Sequence, residues 1–363
     1  MATQALWSHG EMIPVATSDS REPALCMIGE TLHLVWNANR MLYHARCEAG
    51  AWSQPTAVAF GEQPTLAAGP DGRLHCLFAH QFMRNYEIYE VVWDGERWSL
   101  PVNASCTYGV SSTPVVAVGA DGAVHAAWAD TTPGYSVIYY GTRSSTFWAN
   151  RPVPGVRGIM PAIAVASDGT VFIAWSDRRG DTGVYDVFCT MYRDNIWSPP
   201  ESVSDSRSAN SLWPRLVIDA RDQCHVVWQE EDADGTSRIY HADRRPNGWS
   251  NPIMISGDGA PCRLVQVAAN RAGYIHAVWW DGTAFAHRAK PIAFDAAWRE
   301  IEAIATTCLD AAALAVGISS ARQIHLVWSG VGPDDLERLY RAERVPYPRF
   351  TVFLPVIAKV SRN

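Results

Sequence analysis

Seven acidic side chains fall in segments suited to chemistry: Asp130, Asp177, Asp181, Asp186, Glu230, Glu231 and Asp281. A pair of such carboxyls about 5 Å apart can break a glycosidic bond with retention, and a pair about 6.5–9.5 Å apart with inversion. Asp130, Asp177 and Asp281 follow a recurring tryptophan by one or two residues, and Tyr185 closes the loop that Asp177 opens. Asp177, Asp130 and Tyr185 are the candidate catalytic groups, able to move protons if they reach a common substrate. Their recurrence equally fits a plainer role, each carboxylate capping its own loop. A second set is Arg21, Arg215 and Arg263, whose planar forks can hold a carboxylate through two parallel hydrogen bonds. The competing reading pairs each with a nearby acid such as Asp19, Asp205 or Asp219. Tyr86, Tyr108, Tyr135 and Tyr185, with Trp213 and Trp280, could cover the apolar C–H faces of sugar rings. The loop from Glu230 to Gly235 gathers four acids but lacks the spacing of an EF-hand. A solvated acidic turn is favoured there over structural calcium, and no cofactor is expected.

These residues are positioned by a repeat. A hydrophobic run ending in an aromatic recurs seven times, as TLHLVW, RLHCLF, AVHAAW, TVFIAW, QCHVVW, YIHAVW and QIHLVW, with the aromatics at positions 36, 78, 128, 175, 228, 279 and 328, 42 to 53 residues apart. Before each run stands a short apolar stretch and a turn. Asp71-Gly72, Asp121-Gly122 and Asp168-Gly169 predict two-residue hairpins with positive φ angles. A third strand carries an aromatic, as in MLYHAR or VIYYGT, and a fourth begins at a second Trp: Trp52, Trp98, Trp148, Trp197, Trp249 and Trp298. The missing seventh is Trp7, since ALWSHGEMIPVATSDS aligns with the segment around Trp197.

Four-stranded units of this length predict an all-β fold, a seven-bladed β-propeller with four-stranded blades over residues 1–345. Residues 1–18 then supply the fourth strand of blade 7 and close the ring. The tail, 346–363, is apolar and broken by proline, and is expected to pack along the outside or lead to a partner. Six units place His in the second strand (His33, His75, His125, His225, His276 and His325), with Phe172 in the remaining one. A residue repeated around a ring, one layer out from the axis, cannot converge on one centre. These histidines are therefore read as hydrogen-bonded between neighbouring blades, not as metal ligands or catalysts.

Composition sets outer limits. The chain is 48% hydrophobic and 18% charged, enough to bury a large core, and its formal charge of −7 with scattered basic residues gives no footprint for nucleic acid. No apolar run approaches the roughly 20 residues of a membrane span. Met1 to Trp7 has neither the basic nor the apolar region of a secretory leader, which fits a cytoplasmic protein or one whose leader has been removed. Eight scattered cysteines without a CxxC pair predict buried thiols, not a zinc site or disulfide framework.

With the repeat PxhAVxxDGxhHhhWxD followed by hYY and WSxP, residues 1–345 resemble the BNR and sialidase-like superfamily of bacterial β-propellers. That resemblance implies the fold, and a function drawn from lectins, glycosidases, polysaccharide lyases or scaffolds. In sialidases an arginine cluster grips the acid group of the substrate, and SREP at Arg21 is similar to the RIP element of the first sialidase blade, with Glu22 departing from its apolar residue. The sialidase Asp-box is absent. The resulting expectation is one glycan-directed ligand site at the channel mouth, formed by Arg21, Arg215 and Arg263 with Tyr86, Tyr108, Trp213 and Trp280, the arginines suiting an anionic glycan. A sialidase-like hydrolase or polysaccharide lyase, an enzyme on a non-sugar small molecule, and a protein-interaction scaffold are the alternatives. Loops that differ from blade to blade disfavour a lectin with seven equal sites.

Overall fold

The computed structural model describes residues 6–344 except 18, 84, 145, 146, 181, 258, 260, 271, 294 and 295. Asp181 and the tail 346–363 lie outside the described residues, as do the first five residues of the closing segment.

Seven antiparallel sheets form the propeller. The innermost strands are Ser20–Ile28, Glu62–Ala68, Ser111–Val118, Ile159–Val165, Asn210–Ile218, Arg263–Asn270 and Asp310–Ile318. Each neighbours the next around the ring, and the seventh returns to the first. Blade 3 shows the full unit, Ser111–Val118, Val124–Asp130, Val137–Arg143 and Trp148–Arg157. Closure is as the alignment of Trp7 predicts: Glu11–Met12 pairs with Glu337–Arg344, Glu11 opposite Arg341, and Trp7 bridges to Arg344.

The recurring aromatic is the packing unit. Trp36, Phe78, Trp128, Trp175, Trp228, Trp279 and Trp328 are all at most 2% exposed. In six blades the ring stacks on the aromatic opposite it in the third strand, with centroids 5.8 to 6.2 Å apart. Such pairs add to the large apolar area each ring removes from water.

The Asp-Gly turns differ from expectation. Gly72, Gly122 and Gly169 take positive φ, near 80°, but the aspartates before them do not. Gly69 N–H bonds the Arg73 carbonyl at 2.8 Å and Gly72 N–H bonds the Gly69 carbonyl at 3.0 Å, a three-residue loop ending in a left-handed glycine. Asp71 stays in ordinary backbone space because its carboxylate caps the turn, accepting from Arg73 N–H at 3.1 Å.

The histidines also differ in detail. Five of the six bond within their own blade, to the third strand: His33 to His44 at 3.1 Å, His75 to Glu90 at 2.7 Å, His125 to Tyr140 at 2.7 Å, His225 to His241 at 3.1 Å and His276 to His287 at 3.1 Å, while His325 lies 3.4 Å from Glu343 in its own third strand. That partner then meets the fourth-strand Trp of the next blade. His44 packs edge-on against Trp98, Tyr140 against Trp197 and His241 against Trp298, with centroids 5.1 to 5.2 Å apart, while Glu90 accepts from the indole N–H of Trp148 at 3.0 Å. The seam between blades is thus joined through an intermediate residue.

Candidate functional site

Every innermost strand is broken near one level. Its pairing with the second strand shifts register between Arg21 and Ala24 and at the matching place in blades 2 to 6, while in blade 7 the shift falls one pair further out, between Ala311 and Ala313. Within these bulges Glu22, Gln63, Thr113, Met160, Trp213 and Leu264 all have φ between 51° and 59°. Left-handed backbone costs a non-glycine residue about 1–2 kcal/mol, and more for β-branched Thr113. The level lies on the face that carries the second-to-third-strand loops and the blade connections. Proline follows five of the six residues (Pro23, Pro64, Pro114, Pro161, Pro214).

This ring has two unlike halves. Through blades 1 to 3 it is polar: the Glu22 carboxylate accepts from Gln63 N–H at 2.8 Å and from the Asn37 amide at 3.0 Å, and the Gln63 carbonyl oxygen accepts from Thr113 N–H at 2.9 Å. Across blades 4 to 6 it is apolar, formed by Met160, Trp213 and Leu264, with Trp213 41% exposed.

Just below the bulge, residues opposite the one before the recurring aromatic form a second ring: Ala24, Thr65, Val115, Ala162, Arg215, Gln266 and Ala315. Arg215 is the single charge among them. Alternation along its strand turns it the same way as Val217, toward blade 6. Its guanidinium donates to the Pro214 carbonyl at 3.1 Å and meets no carboxylate among the described residues. Burial pushes its pKa down to about 10. An uncompensated cation here favours an anionic guest.

The other two arginines have acids. Arg21 pairs with Glu337 at 3.5 Å, and Arg263 pairs with Asp310 and donates to the Ala311 carbonyl at 3.0 Å. Neither uses Asp19, Asp205 or Asp219. Asp205 instead binds Arg179 at 2.7 Å and Asp219 binds His225 at 3.3 Å.

Asp130 is fully buried, taking bonds from Thr107 Oγ1 at 2.7 Å, Ser111 Oγ at 2.8 Å and Thr132 N–H at 2.7 Å. Asp281 likewise accepts from Thr283 and Ala284 N–H at 2.9 and 2.8 Å. Both geometries cap loops. Asp177 is less engaged, accepting from Arg178 N–H at 2.7 Å, and burial raises its pKa against the pull of that bond and of the Arg157 charge. Arg157 lies over the Tyr135 ring at 4.4 Å.

Glu230 is the counterpart of Asp177 in blade 5. It accepts from the Trp228 indole and from Ser211 Oγ, both at 3.2 Å. Burial raises its pKa, opposed by those bonds and reinforced by the charges of Asp232 and Asp186. Across the same seam Tyr185 N–H bonds the Asn210 side chain at 3.1 Å, and Arg178 lies over its ring at 5.3 Å. Tyr185 and Glu230 therefore flank Asn210 and Ser211, three and two residues before Trp213. The structure groups Tyr185, Glu230 and Trp213 at one seam, sets Arg215 at the next, and places Asp177 on the far side of blade 4.

The stacking set divides. Trp213 stands at the mouth, and Tyr108 is 99% exposed on the connection between blades 2 and 3. Tyr86 is held through its hydroxyl by Arg40 at 3.3 Å. Trp280 is 1% exposed and packs edge-on against Phe285, so neither face is free for a sugar, which corrects its place in the set. The acidic loop is an exposed turn bonded to itself: Asp232 pairs with Arg238 at 2.9 Å and Asp234 accepts from Thr236 N–H at 2.9 Å. Among the described residues no three His, Cys, Asp or Glu side chains gather as a metal site, and no helix is long and apolar enough to cross a membrane.

Neither a family model nor any protein of curated function matches the sequence. Solved structures match the fold. A PL25 polysaccharide lyase, an ulvan lyase bound to -[GlcA(1-4)Rha3S]-, superposes with a TM-score of 0.65 at 10% identity, over 93% of this chain and 95% of that one. The α-L-arabinanase of Penicillium chrysogenum, complexed with arabinobiose, gives 0.51 at 12% identity over 94% and 97%. The GH93 α-L-arabinofuranosidase of Fusarium graminearum, also with arabinobiose, gives 0.50 at 14% over 77% and 91%. The chain is similar in fold to carbohydrate-active enzymes.

Proposed function

We propose that this protein cleaves an acidic polysaccharide laid across the channel mouth over blades 4 to 6. The observation that carries the reading is Arg215, the one charge in a ring of Ala, Thr, Val and Gln, half-buried and without a carboxylate partner among the described residues. A sugar carboxylate would supply the missing charge through a bidentate bond. Trp213 would cover the apolar face of the same or the adjoining sugar.

The reaction that uses this arrangement best is elimination. Pairing the uronate carboxylate with Arg215 stabilises the charge that builds up when the neighbouring C–H proton leaves. Tyr185, acting in its phenolate form, takes that proton and becomes the phenol, the C–H electron pair becomes the new C=C bond, and the glycosidic C–O bond breaks. Glu230, kept protonated further up the pH scale by burial, gives its proton to the departing oxygen. The raised carboxyls of Glu230 and Asp177 favour a second reading, hydrolysis of the same bond by a carboxyl pair. That solved neighbours of this fold include a lyase and two arabinan-directed hydrolases supports carbohydrate cleavage as a class.

The test is to incubate the protein with ulvan and with polygalacturonate. Ultraviolet absorbance of an unsaturated uronate marks elimination, and new reducing ends without it mark hydrolysis. Neither signal from either polymer, or cleavage undiminished in Arg215→Met, would sink the reading.

A further inference from the structure

The one unit without the second-strand histidine is blade 4, where Phe172 stands opposite Met191. Elsewhere a polar or aromatic third-strand residue meets the fourth-strand Trp of the next blade. Here Met191 and Trp249 both pack against the blade 4–5 core. Beside Trp249 the outer rim of this seam opens into a groove of about 640 Å³. Its walls come from the fourth strand of blade 4, with Glu201 and Ser202, and from the last hairpin of blade 5, with Arg244, Asn247, Trp249 and Asn251. The groove lies at the periphery, remote in the sheet order from the innermost strands that carry Trp213 and Arg215.

Charge in the groove is already matched. Arg244 donates to Glu201 at 3.0 Å, and the adjoining Asp205 is taken by Arg179 at 2.7 Å. An ionic guest would have to break one of these pairs, whereas an uncharged one need not. The Arg244–Glu201 pair presents donors and acceptors side by side, the complement of two neighbouring hydroxyls, each of which can accept from the guanidinium and donate to the carboxylate. Trp249 adds an apolar surface for a C–H face, and Asn247 and Asn251 add amides at the rim.

We infer that this groove is a second carbohydrate site, separate from the channel mouth, which takes a neutral oligosaccharide by stacking on Trp249 and bonding its hydroxyls to the Arg244–Glu201 pair. It holds a neutral glycan without cleaving it. The inference does not depend on what the channel mouth does, since no residue is shared.

Binding of neutral xylo-, arabino- and gluco-oligosaccharides is measured by titration calorimetry on the full chain, in wild type and in an Arg215→Ala background that disables the mouth. At least one neutral sugar should bind equally in both. Trp249→Ala should weaken it by roughly tenfold or more, in line with the worth of an aromatic platform. Because Trp249→Ala could disturb the seam, Asn251→Trp serves as the second variant: it fills the groove from an exposed rim position and should abolish binding while melting as wild type does. Failure of all three neutral sugar series to bind, loss of binding in Arg215→Ala, or full binding in Asn251→Trp would each overturn the inference.

Discussion

Trp7 donates its indole N–H to Glu302 at 3.0 Å, a bond that spans 295 positions of sequence. The same carboxylate accepts from Arg344 through two nitrogens at 2.7 Å and bonds His287 at 3.0 Å. Trp7 itself meets the His287 ring edge-on at 5.2 Å. Glu302 belongs to blade 6 and Arg344 to blade 7, so this cluster ties the closing segment to both.

Removing the lock should therefore destabilise the whole ring. Glu302→Gln takes from Arg344, whose side chain is 2% exposed, the carboxylate that grips it through two nitrogens, at a cost of about 3–5 kcal/mol. Trp7→Ala should cost a similar amount through the cavity it leaves. Deletion of residues 1–18 should abolish cooperative melting, because blade 7 then keeps three strands. Thermal unfolding followed by circular dichroism checks all three, and a truncation that melts cooperatively near the wild-type temperature would refute the lock.

The paired histidines set a pH dependence. Burial lowers the His33 pKa from 6.5 to about 4 and the His44 pKa to about 3, with the Arg46 charge and the neighbouring imidazole adding to the effect. Burial also holds His241 and His276 well below the ordinary histidine range. A histidine whose folded pKa lies below its unfolded value binds more protons when unfolded. Its neutral, buried form thus contributes full stability above about pH 6.5, and that stability is lost as pH falls toward 4. The melting temperature should drop across this window. In His44→Tyr, which copies the His125–Tyr140 pair of blade 3, the drop should be shallower; an unchanged slope would show that these rings do not control it.

How much of this could be read from sequence depended on whether a position repeats in chemistry or only in backbone. Trp128, His125 and Asp121-Gly122 recur by type, so the blades and their closure by Trp7 were legible. The third-strand partners of the histidines do not: His44, Glu90 and Tyr140 fill one place with unrelated side chains, which hid the route by which blades are joined. The bulge ring hid for the same reason. Glu22, Gln63, Thr113, Met160, Trp213 and Leu264 share a φ and, in five cases, a following proline, and that proline was the available signal. Trp280 misled because blade 6 has Ala286 opposite Trp279, so the aromatic pair moves one register on, to Trp280 and Phe285, and buries a ring that stands alone in sequence.

The half-ring of side-chain acceptors makes a local prediction. Gln63→Met removes the acceptor for Thr113 N–H and should cost about 1 kcal/mol, the net worth of one hydrogen bond. Met160→Ala, on the apolar half, breaks no such bond and should leave the melting temperature closer to wild type while weakening any ligand that rests there. Equal destabilisation by the two would mean that the halves differ in composition only.

Glu230 and Asp177 can be separated by their pH profiles. Burial raises both, so each stays protonated above the ordinary carboxyl range. If Glu230 supplies the proton to the leaving oxygen, kcat/KM should fall as pH rises through its pKa, and Glu230→Gln should lower turnover by about 10²–10⁴-fold and flatten that limb. Asp177→Asn should leave the limb in place, since Asp177 faces the other side of blade 4. A limb that vanishes in Asp177→Asn and persists in Glu230→Gln would reverse the assignment.

Arg215 should show opposite effects on stability and on binding. Arg215 is half-buried beside alanine- and valine-bearing strands with one carbonyl accepting from its guanidinium, so replacing it with an apolar side chain of similar length relieves part of a desolvation cost. Arg215→Met is expected to unfold at the same or a higher temperature, by the equivalent of about 1 kcal/mol. The same change should cost roughly 10- to 100-fold in kcat/KM on an acidic glycan, the worth of a charge-assisted pair, and leave affinity for neutral sugars unchanged. A residue kept for the fold would behave otherwise: Arg215→Met would then melt lower, and the loss of activity would follow the loss of folded protein. Measuring melting temperature and kcat/KM on the same preparation separates the two, because only a ligand-directed arginine lets stability rise while recognition falls.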